Sequence, residues 1–270
     1  MRLLFTLGLV FFLYAPALAA PKADLWQRWT THDPQSTRTV DHSGWDQFLQ
    51  RYVAEFSDGI NRVDYAGVSP ADRQRLNQYL NGLSKVPVSR LNRAEQRVLW
   101  INLYNALTVR VILDHYPVDS IRDIDISPGL FSDGPWGKKL IEIEGEPVSL
   151  DDIEHRILRP IWRDPRIHYA VNCASLGCPN LQRRAFTADN TERLLNKGAV
   201  DYINHPRGAS VENGRLIVSS IYDWFQADFG GSDSGVIRHL NRYADAKLKS
   251  ELSGIDRIFD DHYDWTLNGN

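Results

Sequence analysis

The sequence predicts a single helix-rich α+β domain with short antiparallel hairpins making a small sheet. Three observations predict it. Apolar residues recur at i, i+3, i+4 and i+7 in most of the longer segments. The strand-like stretches are short and flank turn residues such as Gly145 and Asn213-Gly214. Strands and helices do not alternate regularly, which counts against a doubly wound parallel sheet.

Taken in order, Ser43 to Phe56 places Trp45, Phe48, Leu49, Tyr52, Val53 and Phe56 on one helical face, and Ile60 to Tyr65 alternates as a short strand. Ser69-Pro70 opens a helix that ends near Pro87, with Ser as cap and Pro in the first turn. Asn92 caps the longest helix, Arg93 to about His115, stopped by Tyr116-Pro117. Lys139 to Val148 reads as a hairpin, and Ser149 with Asp152 forms a capping box for a helix through Leu158. Arg166 to Asn172 is a strand candidate, Thr187 to Asn204 a helix, and Val211 to Val218 a hairpin. Ser219 to Phe229 is turn-rich or helical, Ser234 to Leu248 helical, and Phe259 to Trp265 a final strand.

Composition narrows the function classes. The chain has 270 residues, 43 % hydrophobic and 24 % charged, which excludes a disordered or fibrous protein. A formal charge of −3 counts against nucleic acid as a partner, because such proteins need surplus Lys and Arg to displace phosphate counterions. Two cysteines do not make a disulfide-stapled scaffold. Arg2, the apolar run Leu3 to Tyr14 and Ala17-Leu18-Ala19 read as residues 1–19 of a signal peptide, cleaved after Ala19. Residues 20–40 then form a loose polar leader and 41–270 the domain, with no transmembrane segment after cleavage. A periplasmic or secreted bacterial protein is expected.

Chemistry concentrates at residues 168–179, His-Tyr-Ala-Val-Asn-Cys-Ala-Ser-Leu-Gly-Cys-Pro. Three readings compete. Cys173 and Cys178 form a disulfide, as the oxidising compartment favours. Alternatively Cys173 is a nucleophile, with His168 or His155 as base and Glu154 or Asn172 as orienter; a thiolate needs a neighbour that lowers its pKa. On a strand His168 and Cys173 would face opposite ways, so this pairing requires the strand to bend. The third reading, zinc held by Cys173, Cys178, His168 and His155, suffers from loose Cys-x4-Cys spacing. No metal or other cofactor is expected. Asn102 and Asn105 on the long helix, Asn172 and Trp136 are the candidate substrate contacts, the bland reading for the asparagines being satisfied buried hydrogen bonds.

Several motifs recur in one order: Trp100-Ile-Asn-Leu-Tyr-Asn105-Ala; Tyr116-Pro117-Val118-x-Ser120-Ile121; Ser149-Leu150-x-x-Ile153-Glu154-His155-x-Ile157-Leu158-Arg159; His168-x-Ala170-x-x-Cys173-Ala-x-x-Gly177-Cys178-Pro179. From about residue 90 to 230 the string resembles the family catalogued as "domain of unknown function 547". The resemblance implies a domain and no reaction. It also implies that plant, intracellular members often carry Ser at the position of Cys178, so that a disulfide is not the shared purpose of the loop. The sequence thus leaves two function classes. One is a cysteine-dependent hydrolase or acyltransferase acting on a peptide-like or cell-envelope substrate. The other is a non-catalytic binding or scaffold domain with a Cys173–Cys178 disulfide.

Overall fold

The computed structural model describes residues 21–129 and 133–270; the expected signal peptide, residues 1–19, lies outside them. Helix α1 (Ser43–Tyr52) leads directly into the hairpin β1 (Val53–Glu55) and β2 (Asn61–Val63), followed by α2 (Pro70–Leu83) and α3 (Arg93–His115). Ser69 and Asn92 cap α2 and α3 as the sequence predicts, each side-chain oxygen accepting a backbone N–H three residues on. From Glu95 to Val109 every residue of α3 is buried. A helix enclosed on all sides forms the centre of a core rather than its lid.

The hairpin β3 (Ile141–Ile143) and β4 (Glu146–Val148) turns through Glu144 and Gly145, both at positive φ, the two-residue geometry whose twist matches antiparallel strands. The capping box that follows is present, with the Asp152 N–H on Ser149 Oγ and the Ser149 N–H on Asp152 Oδ2. The turns it opens are π-helical, Asp152–Leu158, before the chain tightens into α4 (Arg159–Trp162). Such wide turns recur at functional sites because they re-aim side chains that a regular helix would stack.

The expected strand at Arg166 to Asn172 is instead a 3-10 helix, Pro165–Tyr169. Asp164 caps it, accepting the Arg166 N–H at 2.9 Å, and Pro165 occupies the first helical position. That local start signal overrides the apolar, aromatic composition of the run. Helix α5 (Thr191–Ile203) packs against this turn so closely that a Cβ on Gly198 would lie 2.9 Å from the Tyr169 carbonyl oxygen. Beyond α5 come β5 (Ala209–Glu212) and β6 (Arg215–Ser219), turning through Asn213-Gly214, then α6 (Ile221–Trp224), α7 (Asp233–Tyr243), α8 (Ala246–Glu251) and β7 (Ile258–His262). Strand β7 joins β6 in parallel, so the three-stranded sheet runs β5-β6-β7 and is not wholly antiparallel.

The apolar interior has two parts. The larger is built around α3 by α1, α2, the β3–β4 hairpin and the π-helical turns; the smaller gathers α5, the β5-β6-β7 sheet and α6 to α8. The segment from Ile167 to Leu181 is their seam: Tyr169 packs in the smaller part, Ala170, Val171, Ala174 and Leu181 in the larger. Residues 21–40 do not trail as a loose leader. Trp29 is 1 % exposed against Trp100, and the backbone N–H groups of Asp24 and Trp26 donate to the carbonyls of His155 and Arg156. Two tryptophans in a polar stretch supply enough apolar area to hold it down. Among the described residues no helix is long and apolar enough to cross a membrane.

Candidate active site

The cysteine loop is shaped by asparagines. Asn105 of α3 donates to the Ala170 carbonyl at 2.8 Å and accepts the Asn172 N–H at 2.9 Å. Asn172 then spans the loop's neck, donating to the Pro179 carbonyl at 2.7 Å and accepting the Ala174 N–H at 2.9 Å. Asn102 closes in the same way on both backbone groups of Phe186. These three amides were expected among the substrate contacts; the structure consumes them in the scaffold, since a buried amide must find partners. Ala174, at positive φ, turns the chain back after Cys173.

The turn brings Cys173 Sγ within 2.9 Å of Cys178 Sγ, both as free thiols. A disulfide would hold them about 2.05 Å apart. Cys173, half-buried, also lies 3.2 Å from Ser175 Oγ and 3.1 Å from the Tyr263 hydroxyl. Cys178 is buried, and its sulfur accepts the Cys173 N–H at 2.9 Å. Burial works against a thiolate at Cys173, but bonds from Cys178, Ser175 and Tyr263 outweigh it and lower the pKa below the ordinary thiol value. Burial and the neighbouring Cys173 push the Cys178 thiol well up. The two sulfurs are therefore chemically unequal.

The chain after β7 straps this loop in place. The N–H groups of Leu176 and Gly177 donate to the carbonyls of Thr266 and Asp264, each at 2.8 Å, and the Asn268 N–H donates to the Ala174 carbonyl. Gly177 is required by that approach, because a Cβ there would sit 2.8 Å from both the Asp264 nitrogen and oxygen. Tyr263 packs against Trp224 and Trp265, and Trp265 against Trp136, with ring centroids 4.7–5.8 Å apart. Trp136 is thus joined to the cysteine loop through a half-buried aromatic wall.

The predicted histidines form a separate, adjacent network. His168 is buried, stacked on Phe225 at 4.4 Å, with Nε2 2.8 Å from Asp228 Oδ2 and Nδ1 3.4 Å from Glu154 Oε1. Burial opposes charge on His168, yet the two carboxylates outweigh it and raise its pKa. Burial likewise opposes ionisation of Glu154 and Asp228, but the imidazoles and Arg159 beside Glu154, and His168 and Arg159 beside Asp228, hold both near about 2. Arg159 Nε reaches Asp228 at 2.6 Å, and its Nη1 lies 2.9 Å from His155 Nδ1. His155 is kept neutral, its pKa lowered to about 4 chiefly by burial, with Nε2 3.7 Å from Asp151. Burial and the neighbouring Glu154 and Asp152 lift the Asp151 carboxyl to about 6.

Neither imidazole bonds to Cys173; the nitrogens of His168 are engaged by Glu154 and Asp228, those of His155 by Arg159 and Asp151. The face-alternation objection fails with the strand it assumed, but the thiol's actual partners are hydroxyls and a second thiol. Glu154 still acts electrostatically on Cys173 and on Tyr104 of α3, its negative charge opposing ionisation of both. Among the described residues no three His, Cys, Asp or Glu side chains are arranged to hold a metal ion.

Residues 88–203 match the model of a family described as "Protein of unknown function, DUF547". The chain is similar to that family over this segment. No curated protein and no solved structure matches the chain. The DUF547 segment supplies Glu154, His155, Arg159, His168, Cys173, Ser175 and Cys178. Asp228, Trp224, Phe225, Tyr263 and Trp265, none of them singled out as catalytic from the sequence, come from beyond it. Asp228 and Tyr263 carried no signal in the sequence, being distant along the chain from the residues they contact.

Proposed function

We propose that the protein is an exported cysteine-dependent hydrolase or acyltransferase acting on a peptide-like or cell-envelope substrate, with Cys173 as nucleophile. The observation that carries this reading is a half-buried thiol within hydrogen-bond distance of Cys178, Ser175 and Tyr263, at the seam between the two parts of the core. Donors to sulfur stabilise the thiolate in place of an adjacent imidazolium. In the adjacent network Glu154 and His168 are the acid–base pair that would serve a leaving group, with His155 and Asp151 beside them. The wall of Trp136, Trp265 and Trp224 is the surface on which a substrate would lie.

The test uses an activated aryl ester. The full chain should acquire one acyl group on Cys173, located by peptide mass, and Cys173→Ala should acquire none while melting at nearly the same temperature. Acylation elsewhere, or equal turnover in Cys173→Ala, overturns the reading. Export is checked by sequencing the amino terminus of protein from the periplasmic fraction, which should begin at Ala20.

The close approach of the sulfurs favours a second reading, a non-catalytic periplasmic binding or scaffold domain in which Cys173 and Cys178 are permanently bonded. Thiol titration of denatured periplasmic protein separates the two: no free thiol supports the scaffold.

A further inference from the structure

The asymmetry within the cysteine loop points beyond acyl transfer. Its neck is already closed by both ends of the Asn172 amide, on Pro179 and Ala174, and its outer edge is strapped by Asp264 and Thr266. A covalent bond between Cys173 and Cys178 therefore adds little to the loop's shape. In a loop this short the chain-entropy gain is itself small. Even so, the two sulfurs are held 2.9 Å apart, nearer than two unbonded sulfurs need to be. One side chain is half-buried beside two hydroxyls; the other is buried and accepts a backbone N–H.

We infer that Cys173 and Cys178 are a thiol–disulfide exchange couple acting on a small-molecule disulfide, Cys173 the attacking sulfur and Cys178 the resolving one. The inference does not need acyl transfer to occur. Cys173, as thiolate, attacks one sulfur of the substrate; the Cys173–S bond forms, the substrate S–S bond breaks, and the departing thiolate takes a proton from water. Cys178 then loses its proton to water and attacks Cys173 Sγ, forming the internal disulfide and expelling the second substrate thiolate, which is protonated in turn. Two protein thiols are oxidised and one disulfide is reduced to two thiols. The reverse sequence, starting from a small thiol, restores the dithiol. The buried position of Cys178 bars it from meeting a substrate directly, and the Cys173 N–H stabilises negative charge on it as it attacks or leaves. The half-buried setting of Cys173 suits a slender disulfide.

The experiment treats the reduced full chain with oxidised glutathione and follows intact mass. The wild type should lose two hydrogens, pass only transiently through a glutathione adduct, and return to the dithiol with dithiothreitol without unfolding. Cys178→Ser should instead accumulate one glutathione on Cys173, and Cys173→Ser should accumulate none. Should either variant fail to fold, pulse alkylation of the reduced wild type decides: Cys173 should be modified at least about tenfold faster than Cys178. A stable adduct on the wild type, no reaction, equal alkylation of both thiols, or a bond reducible only after denaturation overturns the couple. Acylation of Cys173 by the aryl ester is a separate readout, so failure of either proposal is seen without the other.

Discussion

Tyr263 places its hydroxyl 3.1 Å from Cys173 Sγ across 90 residues of chain, and the same hydroxyl accepts from Ser175 at 3.0 Å. The strap after β7 thus completes the environment of a thiol in the DUF547 segment. Removing a donor from a thiolate raises its pKa. Tyr263→Phe should shift the pH midpoint of Cys173 alkylation upward by about one unit, equivalent to about 1.4 kcal/mol. An unchanged midpoint would show that the hydroxyl does not stabilise the thiolate.

Asp228 joins the two cations of the adjacent network, His168 and Arg159, at 2.8 and 2.6 Å. Asp228→Asn should cost roughly 3 kcal/mol at neutral pH, since it leaves buried charge without its partner. Its carboxyl and that of Glu154 are held near about 2, below their ordinary values of 3.8 and 4.5. Groups depressed in this way stabilise the fold above their unfolded pKa, and that stability is lost as pH falls through the folded one. Urea unfolding should therefore show the gap between wild type and Asp228→Asn narrowing as pH falls from 3.8 to about 2. A gap independent of pH would mean that charge is not its origin.

The histidines add opposite slopes. His168, raised above 6.5, contributes stability that is complete below pH 6.5 and lost as pH rises through its folded value. His155, lowered from 6.5 to about 4, contributes stability present above pH 6.5 that is lost on acidification toward 4. In His155→Gln the fall in stability from pH 6.5 to 4 should be shallower than in the wild type, measured as the urea midpoint. A parallel fall would assign that window to other groups.

Asn105→Ala should cost roughly 2–3 kcal/mol of stability, because the Ala170 carbonyl and the Asn172 N–H both lose their buried partner. With the aryl ester the loss should fall on the rate at saturation, through a less ordered loop, with KM little changed. A raised KM alone would return Asn105 to the role of substrate contact.

At Gly177 any side chain meets the Asp264 backbone at 2.8 Å. Gly177→Ala should destabilise by about 2 kcal/mol, as overpacking does, and slow Cys173 alkylation by displacing Tyr263. Thermal melting and alkylation kinetics together check it; a variant slow to alkylate yet fully stable would contradict the linkage.

Local chemistry was legible in the chain itself. Asn92 and Ser69 start their helices, Asn213-Gly214 makes its hairpin and Ser149 with Asp152 boxes its turn, because each rests on hydrogen bonds spanning a few residues. The α+β class and the segment similar to DUF547 were readable for the same reason: patterning and motif order are carried along the sequence. Tertiary structure alone decided what those motifs meet. It turned Arg166 to Asn172 from strand to 3-10 helix and spent Asn102, Asn105 and Asn172 on backbone. It also gave His168 to Asp228 and Cys173 to Tyr263, 60 and 90 residues away. Contacts at such separations form only when the two parts of the core close around the seam, and burial then sets which thiol ionises and which imidazole is charged.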